Sequence, residues 1–275
     1  MRMLRFGLAT AALAAACLSA PAFAADLYGG SIKDAPVVVA SPGHCYIRGD
    51  IGYSWSREPD VKWTVTDPVI GSPTFGQFVT DSVTGVNIGE AWLVEGGVGC
   101  GSGWRGIRGE FMIGYHGKRN IDGTPGPWNP STTPPSADPL HTSVETTTLM
   151  FNGYYDIARF DRITPYVGAG VGLAYNKAGS VSFTGNPALV NVIEGDGRWS
   201  LAWSLMAGIG WHLSERTTLD IGYRYLDMGK AETGTIDNLG FTNPSVRINE
   251  LTAHEFKVGL RFAFGGGDGC CAVMK

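Results

Sequence analysis

Eleven charged side chains occupy alternate positions in stretches whose other alternate positions are apolar. These residues are Arg48, Asp50, Glu95, Arg108, Glu110, Asp156, Asp220, Arg224, Glu255, Lys257 and Arg261. In EFKVGLRFAF at 255–264, the charges fall on one parity and every position of the other parity is apolar. Five bases and six acids on one side of a sheet can pair with one another. If that side is shielded from water they must pair, because an unpaired buried charge costs several kcal/mol.

The stretches that carry these charges have the period-two alternation of β-strands. There are eight of them, at residues 45–55, 88–100, 105–116, 145–157, 165–175, 199–211, 217–227 and 255–264. The connections between them are alternately long and short, and the long ones cover 57–86, 117–142, 177–197 and 228–250. One long connection contains TPGPWNPSTTPPSADP, whose proline and glycine content excludes regular structure. This alternation in connection length is typical of an up-and-down barrel.

The composition of the two strand faces favours a membrane barrel over a soluble sandwich or a lipocalin-like barrel. The polar face is rich in glycine, as at 168–172, which suits a narrow, crowded interior better than a solvated surface. Aromatic residues lie at the ends of the apolar rows, where Trp199 and Trp211 bracket one segment, as in interfacial girdles. We therefore predict an all-β fold, an eight-stranded antiparallel up-and-down transmembrane β-barrel over residues 45–264, with the eleven charges facing inwards.

The first 24 residues have the features of a secretory signal peptide. Arg2 and Arg5 precede an apolar run that ends in Ala22-Phe23-Ala24, so cleavage is expected between Ala24 and Ala25. Lipidation at Cys17 is the alternative. Residues 25–44 are expected to form a periplasmic N-terminal leader, and residues 265–275 a flexible periplasmic tail. The net charge of −4 becomes more negative when the signal is removed, which argues against a nucleic-acid partner.

Three segments, PYVGAGVGLAY, DIGYRYLDMG and HEFKVGLRFAF, resemble the outer-membrane β-barrel surface proteins of alphaproteobacteria. These are porin-like proteins with an OmpA-type eight-stranded barrel, and the resemblance extends from about Cys45 to Phe264. It implies a small barrel that contributes to envelope integrity and cell-surface interactions, with no catalytic residues and no cofactor. The chain departs from the family pattern after Phe264, because GGGDGCCAVMK follows the aromatic residue on which such barrels usually end.

We accordingly expect a structural surface protein of the outer membrane, not an enzyme, whose lumen is closed by the paired charges. A narrow pore for small solutes or ions is one open alternative, and a lipid-modifying barrel enzyme is another. The five histidines are expected at the surface or the rim; they are His44, His116, His141, His212 and His254. GAGVG at 168–172 looks like a nucleotide-binding loop, but no helix follows it, so its glycines are interpreted as lumen-facing.

The expected surroundings follow from this fold. The termini should be periplasmic and the long loops extracellular. The expected partners are outer-membrane lipids and lipopolysaccharide, with the barrel-assembly machinery during biogenesis, and the protein should be a monomer without a metal or cofactor. Cys45 and Cys100 fall at the same end of neighbouring strands, so either a disulfide or two free thiols is expected there. Cys270 and Cys271, in the tail, are expected to be free or to form intermolecular bonds.

Overall fold

The computed structural model describes residues 44–66, 71, 73–101, 106–125, 139–184, 193–234 and 245–264. The predictions for the signal peptide, its cleavage site, the leader and the tail cysteines lie outside these residues. Strands in the described ranges are β1 (His44–Ser56), β2 (Asp60–Thr66), β3 (Phe78–Ser82), β4 (Thr84–Ile88), β5 (Ala91–Gly101), β6 (Gly106–Thr124), β7 (Leu140–Asp156), β8 (Ile163–Ala178), β9 (Ser182–Phe183), β10 (Asp196–His212), β11 (Thr217–Asp227), β12 (Ala231–Glu232), β13 (Ser245–Asn249) and β14 (Thr252–Phe264). Within the same ranges, no helix is both long enough and apolar enough to span a bilayer.

Eight of these strands form a closed antiparallel barrel in the order β1, β5, β6, β7, β8, β10, β11, β14. The barrel closes where β14 pairs with β1, from Phe264 opposite Cys45 to Ala253 opposite Ser56. The predicted eight-stranded antiparallel barrel is therefore confirmed. Three connections between barrel strands are short, and we call that end of the barrel the short-connection end; the other is the long-connection end.

The apolar rows of the barrel strands point outwards and the charged rows point inwards. Ile107 is 74% exposed and Leu201 is 73% exposed, whereas Asp50 is only 2% exposed. In water this arrangement would leave large apolar side chains unprotected, and in a bilayer it gives the outward apolar band of a membrane barrel. The predicted sidedness is thus the one observed.

Aromatic rings border this apolar band at the long-connection end. Paired rings there include Trp92 with Tyr115, whose centroids are 5.6 Å apart, and Tyr175 with Trp199, at 5.0 Å. We call these four residues and Tyr225 the aromatic belt. Such belts mark the level at which a barrel leaves the hydrocarbon, so residues beyond the belt lie outside the membrane-spanning part.

Beyond the belt, the protein has structure that the sequence analysis treated as loops. A second sheet forms there in the order β12, β13, β2, β3, while β4 pairs with the extended β6, and β9 pairs with β7. Apolar side chains of these strands are buried together in what we call the cap, which includes Val61, Trp63, Ile121, Leu140, Phe183 and Ile248. The expectation of loops is wrong for these parts of the long connections. Most of the proline-rich segment, residues 126–138, lies outside the described residues.

Candidate functional site

Ion pairs inside the barrel join nine of the eleven predicted charged residues into an unbroken chain, and a hydrogen-bond contact extends it to one histidine. Acids and bases alternate along it in the order Asp156, Arg108, Glu110, Arg48, Asp50, Lys257, Glu95, Arg224, Glu255, His116. The N···O distances lie between 2.5 and 3.3 Å. The remaining two predicted residues, Arg261 and Asp220, form a separate pair at 2.5 Å. We call the ten-residue series the ion-pair chain.

The ion-pair chain is almost completely shielded from solvent, with side-chain exposures of 0 to 9%. Every carboxylate between its ends contacts two bases, so no described acid within it is left with an uncompensated charge. Low solvent exposure strengthens such contacts but also makes each partner costly to remove. Chemically, the arrangement holds side chains in fixed positions and leaves little freedom to transfer protons or to contact a substrate.

Barrel geometry brings like charges together at one point of the chain. Asp50 of β1 lies directly opposite Glu95 of β5, and two carboxylates in that position repel. The Lys257 ammonium lies between them, 3.3 Å from Asp50 and 2.7 Å from Glu95. On the other side of Asp50 the facing residue is Gly259, where a Cβ atom would collide with the Asp50 carboxylate. The glycine therefore gives the carboxylate room to reach the ammonium.

Aromatic side chains hold the arginines nearest the short-connection end. The Tyr46 hydroxyl donates a hydrogen bond of 2.7 Å to Glu110. The Arg108 guanidinium lies over the ring of Tyr154, 3.9 Å from its centroid, and 4.7 Å from that of Tyr166. Such cation–π contacts favour a desolvated arginine.

Glycines of GAGVG line the same interior wall as these rings. A Cβ atom at Gly168 would lie 2.5 Å from the Tyr154 ring and 2.8 Å from the carbonyl oxygen of Gly153. The large ring fits because the wall beneath it has no side chain. These glycines belong to β8, not to a loop before a helix, in agreement with their interpretation as lumen-facing.

The sequence analysis missed two interior residues, both next to a β-bulge in β6. His116 faces Thr146 of β7 and Arg119 faces Val144, so β6 carries one extra residue between these pairs. The expectation that every histidine lies at the surface or rim is wrong for His116. It is fully buried, and its Nε2 lies 2.8 Å from Glu255.

The bulge reverses which positions of β6 face inwards. Arg119 therefore points inwards, although the alternation in the membrane-spanning part of β6 predicts that an odd-numbered residue points outwards. Arg119 is 0% exposed, donates a hydrogen bond of 2.6 Å to the Ser56 hydroxyl, and forms no ion pair within the described ranges. It lies beyond the aromatic belt, where burial lowers its pKa to about 10, and it remains charged at neutral pH. With Arg119, the described interior holds six permanent cations and six carboxylates. A glycine within a strand can mark a bulge, but Gly109 and Gly114 of β6 pair regularly with β7, so Gly117 alone could not have indicated it.

The other chemically capable residues lie apart from the ion-pair chain. His141 contacts Asp122, His212 bonds Thr164 at 3.0 Å, and the ring of His254 stacks on Trp55. Among the residues that the structure describes, no cluster of His, Cys, Asp and Glu could hold a metal ion.

Two cysteines join neighbouring strands at the short-connection end. Cys45 of β1 and Cys100 of β5 lie directly opposite each other, and their sulfur atoms form a disulfide bond. The bond spans 55 residues of sequence and ties the first barrel strand to its neighbour, on the side away from the closure with β14.

Comparison with known proteins assigns the chain to a family. A family model described as an outer membrane protein beta-barrel domain matches residues 10–264. An uncharacterized protein of Brucella abortus is 26% identical over 247 residues, which cover 80% of this chain and 84% of that protein. A putative adhesin of Rickettsia bellii is 29% identical over 119 residues, covering 42% of this chain and 52% of the relative. Among solved structures, the outer membrane protein OprG of Pseudomonas aeruginosa aligns with a TM-score of 0.48 at 14% identity, over 81% of this chain and 96% of that one.

Proposed function

We propose, since the chain belongs to the outer membrane protein β-barrel family, that it is a structural surface protein whose lumen does not conduct. The observation that carries this proposal is the unbroken alternation of buried acids and bases through the barrel. Two separate layers close the lumen. The ion-pair chain fills the membrane-spanning part, and the cap covers the long-connection end.

The physical argument against a pore is the cost of opening either layer. An eight-stranded barrel is only wide enough for its own side chains to fill it. Passage of an ion would require separating contacts such as Arg224–Glu255, and breaking a buried ion pair costs about 3–5 kcal/mol. The cap adds an apolar layer, in which Ile248 and Leu140 are fully buried, that a hydrated ion would also have to cross. Both costs disfavour the narrow pore, which is the alternative function.

Single-channel recording of the purified protein in planar bilayers tests the proposal. The unaltered protein should give no stable openings. The variant Arg48→Ser/Glu110→Ser, which interrupts the ion-pair chain, should also remain silent because the cap still closes the long-connection end. Frequent and stable openings of the unaltered protein would contradict a closed lumen. Openings only in the double variant would contradict the sealing role of the cap.

We further propose that the long-connection end faces the cell exterior and that both termini are periplasmic. Outer-membrane barrels place their long loops outside and their short turns in the periplasm, which supports this orientation. On the second sheet, Phe78 and Thr80 of β3 are exposed and available to external molecules. The similarity to a protein named a putative adhesin supports a role in surface contact.

Labelling of intact cells with a membrane-impermeant maleimide tests the orientation. In a Cys270→Ser/Cys271→Ser background, Thr80→Cys should react on intact cells. The matched variant Arg216→Cys, in the short connection before β11, should react only after the outer membrane is permeabilised. The reverse pattern would place the long-connection end in the periplasm and refute the proposal.

We propose a non-enzymatic role and a monomeric state on related grounds. The interior acids are engaged in ion pairs, which makes them poor general acids or bases, and a closed barrel leaves no edge in its wall for another chain. A lipid-modifying enzyme is the remaining alternative. Mass spectrometry of lipid A from a deletion strain should show the same species as the parent, and a missing modification restored by the gene would support the enzyme instead.

A further inference from the structure

The outward surface of the barrel has an apolar groove that begins at Trp92 of the aromatic belt and extends towards the short-connection end. Its volume is about 600 Å³, and its walls and floor come from β5, β1 and β14. The wall residues Trp92, Tyr53 and Phe256 are direct cross-strand neighbours. The floor residues form the next outward row and are shorter; they are Val94, Ile51 and Val258. A hydrocarbon chain lying in this groove would be contacted from below and from the sides.

Polar groups border the groove on the belt side. The Trp92 ring lies over Gly117, where a Cβ atom would be 3.0 Å from the indole nitrogen, and the next residue is the exposed Lys118. Arg57, which directly follows β1, is also exposed. Neither cation has a carboxylate within ion-pair distance among the described residues. Glu90, the acid next to the groove, accepts a hydrogen bond from the Tyr53 hydroxyl.

Lys118 is close enough to Glu145 of the neighbouring strand to interact with it electrostatically, but the two form no ion pair. Glu145 of β7 accepts a hydrogen bond of 2.9 Å from the Tyr115 hydroxyl and lies 3.3 Å from the Lys177 ammonium. It is therefore already engaged on two sides. The groove thus combines an apolar surface at hydrocarbon level with two exposed cations at headgroup level, neither of which is held in an ion pair among the described residues.

We propose that this groove binds a phosphorylated, acylated glycolipid of the outer leaflet, with one acyl chain in the groove and a phosphate near Lys118 and Arg57. The site rests on the proposed orientation, because only with the long-connection end outside does the groove open to that leaflet. Charge complementarity selects the occupant: arginine and lysine are the side chains that bind phosphate. Each such cation near a charged membrane surface changes binding by about fivefold.

Native mass spectrometry of the purified protein with three added lipids tests the site. The lipids are lipid A, fully dephosphorylated lipid A and phosphatidylglycerol. Val94→Phe fills the floor of the groove, and Val171→Phe is its control, because Val171 is 61% exposed on the lipid-facing side of β8, away from the groove. Lys118→Gln removes one cation, and Lys62→Gln, exposed on the second sheet, is its control.

The expected result is that Val94→Phe weakens retention of lipid A at least fivefold and Val171→Phe leaves it unchanged. Lys118→Gln should weaken the retention of lipid A about fivefold and leave the retention of dephosphorylated lipid A unchanged. If Val94→Phe and Val171→Phe retain lipid A equally, the proposal that the groove is the binding site is wrong. Equal retention of phosphatidylglycerol and lipid A by the unaltered protein would overturn the glycolipid assignment.

Two further measurements separate this site from the general proposal. Heat-modifiable migration of each variant on gels reports whether its barrel is folded. If the maleimide labelling puts the long-connection end in the periplasm, the orientation fails and the site fails with it. If the labelling agrees with the proposed orientation but Val94→Phe binds lipid A like Val171→Phe, the lipid site alone is wrong.

Discussion

Substitution of Arg224 by methionine should destabilise the barrel far more than the same substitution at Arg119. The two arginines are both 0% exposed, so the loss of buried side-chain volume is similar. They differ in their partners. Arg224 lies 2.5 Å from both Glu95 and Glu255. Arg119 donates hydrogen bonds to the Ser56 hydroxyl and to the Met228 sulfur, and has no ion pair within the described ranges. The comparison therefore isolates how much direct ion-pair contact in the barrel interior contributes to the free energy of unfolding.

The expected magnitudes follow from what each substitution leaves behind. Without Arg224, Glu95 retains only Lys257, and Glu255 retains only His116. Removing one partner from a buried ion pair costs about 3–5 kcal/mol. Without Arg119, the hydrogen bond to Ser56, worth about 1.5–3 kcal/mol, and the weaker one to the Met228 sulfur are lost, but the penalty for burying an unpaired charge is removed as well. We therefore expect a change near zero, or a gain, for Arg119→Met.

Urea unfolding of the barrel in lipid vesicles, followed by tryptophan fluorescence and by heat-modifiable migration, measures the free energy of unfolding. The two variants should differ by at least about 2 kcal/mol. Adding Glu255→Gln to Arg224→Met should recover part of the loss, because it removes the stranded carboxylate. If Arg119→Met costs as much as Arg224→Met, then the balance of six cations and six carboxylates governs stability, and the reasoning from contacts is refuted.

Three further changes test packing, sidedness and the disulfide. Gly168→Val should cost about 1–3 kcal/mol, because its Cβ atom would meet the Tyr154 ring at 2.5 Å, while Ala169→Val on the lipid-facing side should be neutral. Leu205→Arg should cost about 2–4 kcal/mol in vesicles, because Leu205 lies in the outward apolar band. Reduction of the Cys45–Cys100 bond, which spans 55 residues, should lower the free energy of unfolding by about 2–4 kcal/mol. Urea unfolding measures all three.

Each of these outcomes has a contrary result. A Gly168→Val variant as stable as Ala169→Val would mean that the Tyr154 ring moves freely. If Leu205→Arg did not lower the free energy of unfolding, this surface would be in contact with water and not with lipid. The disulfide prediction fails if a reducing agent shifts the unfolding of the unaltered protein no more than that of a Cys45→Ser/Cys100→Ser variant.

The facing of the membrane-spanning residues could be predicted from the sequence because the bilayer imposes strict alternation. Hydrocarbon on one side and a crowded interior on the other leave little tolerance for exchange, so Asp50 and Arg224 were recognised as interior from parity alone. The ion-pair partners could not be predicted in the same way. Lys257 reaches both Asp50 and Glu95, and that depends on strand register and on the space at Gly259.

Beyond the aromatic belt, alternation ceased to be a guide. The bulge in β6 reverses parity there, so Arg119 could not be placed by counting. Strands β2 and β13 are only seven and five residues long, which is too short to stand out within long connections. Their apolar residues are buried by contact with other connections, as Trp63 is by Phe183. That contact is between residues far apart in sequence, and no local pattern reveals it.

The bulge in β6 takes up one residue more than the facing part of β7 and thereby changes which positions of β6 face inwards. On the membrane side of it, odd-numbered residues such as Tyr115 face lipid; on the far side, odd-numbered residues such as Ile121 are buried in the cap. Deleting Gly117 would remove the bulge and keep this facing, because Lys118 would then follow His116 on the outward side and Arg119 and Ile121 would stay buried. Deleting Asn120 instead would turn Ile121 towards solvent and bring Asp122 inside, so β6 should tolerate the loss of a residue at the bulge far better than the loss of one beyond it.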